Sequence, residues 1–365
     1  MDEKLSFYTQ RTIEWDDKSN SIVMIDQTLL PKEFKFVRCA TVPDVINAIK
    51  TMKIRGAPAI GVAGAMGVAL AVQRATSATK GDLLREIEPD VLALKSARPT
   101  AVNLAWGVDK TVTFIKSELP EVIDSESKKN VAKFVERLAD LDVETNKKLS
   151  DLGAKLFRSG DTVLTHCNAG ALATVGYGTA LGVLRSVTKQ GKALKVFAAE
   201  ARPVLQGARL TSFELTTDGF DVTLIPDTAV GISMQRGLID SVVVGADRIT
   251  KTGHVFNKVG TYQIATLAKR HHIPFYVAAP LSTFDFETDW MKVKIEERSA
   301  DEVRRVGSEQ TAPETVKAFN SAFDITPPEL ITAIICEEVV LTKPFAPKIK
   351  RLKRRALKVK SGPVA

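Results

Sequence analysis

From residue 160 onward, five short runs made almost wholly of apolar residues recur, at 162–167, 196–200, 222–226, 242–247 and 275–279. The stretches between them, roughly 171–187, 203–217, 228–238 and 259–272, carry helical patterning. Strands that are apolar throughout must be covered on both faces, which implies a parallel sheet layered with helices. Right-handed crossovers then make the domain doubly wound. In open parallel sheets, ligands bind beyond the carboxyl ends of the strands, where helix N-termini offer free N–H groups. Four of the five runs finish there on reactive or small residues: His166-Cys167-Asn168-Ala169-Gly170, Glu200-Ala201-Arg202-Pro203, Pro226-Asp227-Thr228 and Gly245-Ala246-Asp247-Arg248.

Ahead of residue 160 the texture is helical. Pro43-Asp44 opens one helix, Ala57–Arg74 reads as a second, and 131–157 has apolar residues three and four apart. The first 40 residues suggest a small antiparallel sheet, with runs at Ser21–Ile25 and 34–39 preceded by turn residues. The expected fold class is α/β: a doubly wound, mostly parallel Rossmann-like sheet preceded by a smaller, mainly helical N-terminal domain with a short antiparallel sheet. The expected divisions are 1–150, 151–345 and a basic C-terminal tail, 346–365.

That tail explains the charge. The formal net charge of +8 equals the eight basic residues between Lys348 and Lys360, so residues 1–347 carry none. Such a tail reads as a nuclear address, a nucleic-acid contact or a solvated extension. Aromatic residues make up 6%, too few to advertise base-stacking platforms. Three cysteines without CxxC spacing exclude a disulfide framework or zinc knuckle, and the four histidines have no metal-ligand spacing, so no metal or cofactor is expected. The polar N-terminus lacks a signal sequence. Two uncharged stretches, 56–73 and 162–184, are too rich in Gly and Ala, or too interrupted by polar groups, to serve as membrane spans. No membrane partner is expected, and the location is cytoplasmic or nuclear.

Particular residues carry alternative readings. Cys167 ends a strand before an expected helix, where the dipole favours a thiolate; free cysteines also serve as small buried hydrophobes. Cys39 and Cys336 lie in apolar runs and read as core. Asp247, enclosed by apolar strand ends, suits a general acid, or else a helix cap or a partner for Arg248. Arg55-Gly56-Ala57, opening a Gly/Ala-rich helix, suits a phosphate cradle, or else close helix packing. Gly176, Gly178 and Gly182 miss the dinucleotide spacing by one residue, which argues against such a site.

Seven ordered strings extend this reading. They are Arg55-Gly56-Ala57-Pro58-Ala59-Ile60-Gly61, Ala97-Arg98-Pro99-Thr100-Ala101-Val102-Asn103-Leu104, Thr165-His166-Cys167-Asn168-Ala169-Gly170, Leu205-Gln206-Gly207-Ala208-Arg209-Leu210-Thr211, Gly245-Ala246-Asp247-Arg248-Ile249, Asn257-Lys258-Val259-Gly260-Thr261-Tyr262 and Pro274-Phe275-Tyr276-Val277-Ala278-Ala279-Pro280. Together they resemble the S-methyl-5-thioribose-1-phosphate isomerase family of methionine salvage. That family shares its fold with ribose-1,5-bisphosphate isomerase and the alpha, beta and delta regulatory subunits of initiation factor 2B. The resemblance implies an aldose–ketose isomerase acting on a small sugar phosphate, as a homodimer and without a cofactor. It implies catalytic roles for Cys167 and Asp247, and substrate binding by Arg55, Gly56, Ala57, Arg98, Gln206, Asn257 and Lys258. Two departures stand out: Ala201 where the family usually has Thr, and His254 where Asp is common.

Overall fold

A computed structural model describes residues 5–98 and 102–360 of the chain. Two compact units emerge. One holds the residues up to Thr145 together with Gly170–Gly178, and the other holds Asn146–Ala169 and the residues from Thr179 on.

In the first unit, β1 (Ile13–Asp16), β2 (Ser21–Ile25) and β3 (Phe36–Cys39) form an antiparallel sheet in that order. Five helices follow: α1 (Val42–Lys50), α2 (Ala57–Arg74), α3 (Lys80–Ser96), α4 (Val102–Glu118) and α5 (Ser125–Gly153), the last running on into the second unit. Thr41 starts α1 with a reciprocal cap, its hydroxyl accepting from the Asp44 amide (3.2 Å) while Asp44 accepts from the Thr41 amide (2.8 Å). Helix α2 is apolar on every side, and all its residues from Ala59 to Val72 are buried, so it is the core helix of this unit. Its glycines let α4 approach backbone to backbone. A Cβ on Gly107 would lie 1.9 Å from the Gly61 carbonyl oxygen, and one on Gly64 would lie 2.7 Å from the Leu104 side chain. The close-packing reading of this helix therefore holds along its length, leaving only its first turn for other work.

The second unit opens with the expected strands, now β4 (Thr162–His166), β5 (Lys195–Ala199), β6 (Asp221–Ile225), β7 (Ser241–Val244) and, further on, β10 (Phe275–Ala278). Their connections include α6 (Ala180–Lys189), α7 (Ser212–Thr217), α8 (Val230–Gln235) and α9 (Thr261–Arg270). Between β7 and α9 run two short strands, β8 (Arg248–Thr250) and β9 (Val255–Lys258). Past β10 come β11 (Phe284–Asp285), the short helix α10 (Asp301–Arg304), the hairpin β12 (Arg305–Val306) and β13 (Glu309–Gln310), then β14 (Phe323–Thr326), β15 (Ala333–Ile335), β16 (Val340–Thr342) and α11 (Phe345–Lys360). Among the described residues the main sheet has the order β16-β15-β10-β7-β4-β5-β6. Every pairing in it is parallel except the edge pair β15–β16. A second sheet, β11-β8-β9-β14, was not foreseen.

Two expectations need correcting. Helix α6 starts at Ala180 rather than 171. Residues 170–178 leave the second unit altogether, and Tyr177 and Gly178 adopt left-handed backbone (φ 69° and 82°) that no helix accepts. The Ala169 carbonyl receives the Thr179 and Leu181 amides (3.1 and 3.2 Å), closing the excursion at its base. The second correction concerns the C-terminal segment, which is not a separate tail over its first turns. Phe345, Ile349 and Leu352 recur at helical spacing and are buried in the same core as Val242, Val277 and Ile334. Around them Lys350, Arg351 and Arg354 are exposed and Lys348 and Lys353 half-buried, so charge density in the sequence masked an amphipathic element. Similarly, the expected boundary at 150 falls inside α5, where the two units divide at 145.

Candidate active site

The strand order decides where chemistry belongs. From β4 the chain steps outward to β5 and β6, then returns to β7 on the other side of β4 and continues to β10 and β15. The direction of winding reverses between β4 and β7, which is where an open α/β sheet leaves a crevice. Cys167 is the residue after β4, and Asp247 follows β7 by three positions. The two groups singled out by chemistry thus leave adjacent strands at the switch point.

Cys167 has φ +60°, a left-handed conformation that costs a side-chain-bearing residue energy and recurs at functional sites. It is 9% exposed. Asn168, buried beside it, donates from Nδ2 to Glu214 (2.9 Å) and to the Thr211 hydroxyl (3.2 Å), and that hydroxyl donates to the Cys167 carbonyl (2.5 Å). Glu214 also accepts from Arg185 (2.8 Å), whose Nε reaches Asp218 (2.7 Å). Burial works against the Arg185 charge, yet the two carboxylates outweigh it and hold the guanidinium above its usual value. Across the crevice, Gly245 has no room for a side chain, since a Cβ there would lie 2.6 Å from that of Ala169. Asp247 is half-buried, with its amide donating to the Phe256 carbonyl (2.9 Å). Arg248 has an acid of its own, Asp285, at 3.1 Å.

Gln206 follows β5 at the same edge of the sheet. It is buried, and its Oε1 has no hydrogen-bond partner among the described residues, a state that an ordered water or a ligand completes. The next residue, Gly207, packs so closely that a Cβ would sit 1.8 Å from the Ala199 carbonyl. Asn257 and Lys258 lie at the end of β9. The Asn257 amide donates to the Thr261 hydroxyl (3.0 Å), and that hydroxyl donates to the Lys258 carbonyl (2.6 Å), so the turn into α9 is fixed from within. The Lys258 ammonium stands 5.0 Å from the centre of the Phe323 ring.

Two further acid–base residues border this turn: Asp324, which went unremarked in the sequence, and His166, which entered it only as a strand-end residue and a histidine without metal-ligand spacing. Asp324 lies directly opposite Asn257 on β14, and its Oδ2 accepts from the Gly260 (2.7 Å) and Tyr262 (3.0 Å) amides, capping α9 from another strand. Burial pushes its carboxyl up to about 6, against the pull of those donors and of Lys258. The ionised form is therefore less favourable folded than unfolded. Its stabilising contribution is complete below about pH 4 and is lost as pH rises through about 6. Asp324→Asn, which keeps an acceptor oxygen, is expected to flatten that part of the curve of urea midpoint against pH. Parallel wild-type and variant curves would contradict this account. His166, the last residue of β4, is buried with Nε2 2.9 Å from the Val259 carbonyl; a carbonyl only accepts, so Nε2 carries the proton. Burial lowers its pKa despite Asp227 at 3.8 Å, so its ring is neutral near pH 7.

In the first unit, Arg55 is buried and donates from Nε to Gln27 (3.1 Å), which in turn holds the Leu172 carbonyl (2.8 Å). Gly56 starts α2 with φ +96°, and a Cβ on it would lie 2.3 Å from the Ala173 carbonyl oxygen, so only glycine fits. The amides that begin α2, from Ala57 on, are those of an anion-binding helix start. Arg98 is half-buried just past α3, and the neighbouring Pro99, Thr100 and Ala101 lie outside the described residues.

The remaining assignments divide cleanly. Burial raises the Cys39 thiol to about 11 and the Cys336 thiol to about 12, consistent with core roles for both. His254 stacks on Trp290 with ring centres 4.5 Å apart and planes 13° off parallel, so this departure serves packing. Ala201 is fully buried with φ +62°, its amide held by Asp227 at 2.9 Å.

The chain is similar over most of its length to several known proteins. The pattern of the initiation factor 2 subunit family matches residues 53–343. A protein of Methanosarcina acetivorans named as a putative methylthioribose-1-phosphate isomerase is 49% identical, over 92% of this chain and 95% of its own. The crystal structure of 5-methylthioribose 1-phosphate isomerase from Pyrococcus horikoshii superposes with a TM-score of 0.87 at 42% identity, covering 95% of this chain and 97% of that one. A structure from A. fulgidus described as translation initiation factor eIF-2B, subunit delta, gives a TM-score of 0.83 at 47% identity, covering 94% and 100%. With matches of this extent, the chain belongs to the initiation factor 2 subunit family, among its relatives named methylthioribose-1-phosphate isomerase.

Proposed function

We propose that the chain is an aldose–ketose isomerase of methionine salvage that converts S-methyl-5-thio-α-D-ribose 1-phosphate to S-methyl-5-thio-D-ribulose 1-phosphate. The observation that carries this reading is 49% identity over 92% of the chain to a relative of that name, supported by Cys167 and Asp247 on adjacent strands at the switch point.

The substrate's anomeric carbon bears phosphate, so the ring does not open to an aldehyde unaided. In this reading Asp247 gives a proton to the ring oxygen as the C1–O bond breaks. Hydrogen passes from C2 to C1, a transfer served by Cys167, and the proton released from O2 as the ketone forms restores the acid. Arg55, the Gly56 and Ala57 amides, Arg98 and Lys258 hold the phosphate dianion, and Gln206 and Asn257 take sugar hydroxyls. The orphan Oε1 of Gln206 supports its part, because a hydroxyl donor satisfies it.

The test is to mix purified protein with 5-methylthioribose 1-phosphate and follow the product ketone, with Cys167→Ala beside it. Ketone from the wild type and none from the variant is the expected result. No ketone from folded wild type would overturn the reading. It would favour ribose 1,5-bisphosphate as substrate, or the translation-factor role in the description of the A. fulgidus structure, which requires no turnover.

A further inference from the structure

The left-handed backbone at Cys167 has an identifiable support. Thr211 closes a single π-helical turn, Gly207–Thr211, in which the Ser212 amide reaches back to the Gly207 carbonyl. Such one-turn insertions re-aim side chains and collect at functional sites. Here the turn directs a fully buried hydroxyl at the carbonyl of Cys167 (2.5 Å). The same hydroxyl accepts from Asn168, whose amide is fixed by Glu214, and Glu214 is fixed by an Arg185 that is itself wholly buried. The Thr211 hydroxyl thus accepts from Asn168 on one side and donates to the Cys167 carbonyl on the other. We propose that Thr211 is a positioning residue for Cys167: its hydroxyl, oriented by Asn168 and the buried Glu214–Arg185–Asp218 cluster, holds the strained backbone that presents the thiol to the crevice. The inference rests on the reading that Cys167 serves the isomerisation.

Thr211→Val keeps the shape and removes the hydroxyl, whereas Thr211→Ser keeps the hydroxyl. Misplacing a reacting group by a fraction of an ångström to an ångström costs about tenfold to a hundredfold in rate. We expect that loss in kcat for Thr211→Val, with KM held within about twofold, because ground-state binding does not pass through this hydroxyl. Thr211→Ser restores kcat, which a role in packing alone would not predict. A substrate-free readout stands beside it. In the resting protein, iodoacetamide is expected to alkylate Cys167, 9% exposed, the sulfur displacing iodide and the thiol proton passing to buffer, and to leave Cys39 and Cys336, 1% and 0% exposed, unmodified. The rate of that alkylation changes by about fivefold or more in Thr211→Val, the weight of one hydrogen bond, and returns toward wild type in Thr211→Ser.

Folded Thr211→Val with wild-type kcat and alkylation rate overturns the proposal. If Thr211→Val does not fold, Asn168→Ser carries the test with the same losses expected; wild-type behaviour there, or failure of both to fold, also overturns it. A wild type inert toward the thiosugar phosphate, yet showing this alkylation pattern, removes the isomerase reading and leaves the positioning of Cys167 supported.

Discussion

Asp247→Asn will leave the protein folded and able to take up the thiosugar phosphate, and will lower kcat by about a hundredfold to ten-thousandfold. The side chains are isosteric, and two contacts that hold this segment run through the backbone: the Asp247 amide on the Phe256 carbonyl, and Gly245 against Ala169. Neither contact involves the carboxyl. An amide cannot hand a proton to the ring oxygen, so the interaction lost belongs to the transition state, and KM should move little. The measurement is steady-state kinetics of both proteins by ketone formation, with melting curves beside them. Turnover within about fivefold of wild type would remove Asp247 from the proton-transfer role, since general acids are worth far more than that.

The largest effect on stability is expected from Arg185→Met. Arg185 and both its carboxylate partners have side chains fully shielded from water. Taking away the cation leaves Glu214 and Asp218 buried without their countercharge, and breaking a buried pair from one side costs about 3–5 kcal/mol. That is a large share of a typical folding free energy. Urea unfolding checks it, and a loss under about 1 kcal/mol would mean that the cluster relaxes toward water on losing its arginine. Asn168 draws its acceptor from the same Glu214, so the variant should also lose turnover at temperatures where it remains folded.

The contrast between these two variants shows which parts of the site the sequence can disclose. Asp247 and Cys167 were legible because each ends a run of apolar strand residues, where a polar group needs a reason. Glu214 and Arg185 were not. They lie 29 positions apart, each on a helical stretch where charged residues are commonplace, and only the fold makes them partners. Gln206 and Arg98 came from resemblance alone. What marks Gln206 physically is an unpaired buried oxygen, a property of the folded state with no local sequence signal. Asn257 and Lys258 likewise came from resemblance: β9 is four residues long and half polar, and its pairing with β14, about 65 to 70 positions away, makes it a strand. The helix expected after Cys167 failed for a different reason. Apolar composition favoured it, while residues 170–178 find their burial with the first unit.

The docking of α11 sets an order of events during synthesis. Strand β4 pairs with β5 and with β7, β7 pairs with β10, and β10 with β15, so the sheet gains its members from the middle outward as translation proceeds. Its core then still lacks Phe345, Ile349 and Leu352. A nascent chain that has emerged only as far as β15 exposes the apolar surface these residues cover, and an exposed surface of that kind invites association with other chains. The exposed Lys350, Arg351 and Arg354 of α11 therefore reach the growing domain after β15, bringing charge and closure in the same few residues.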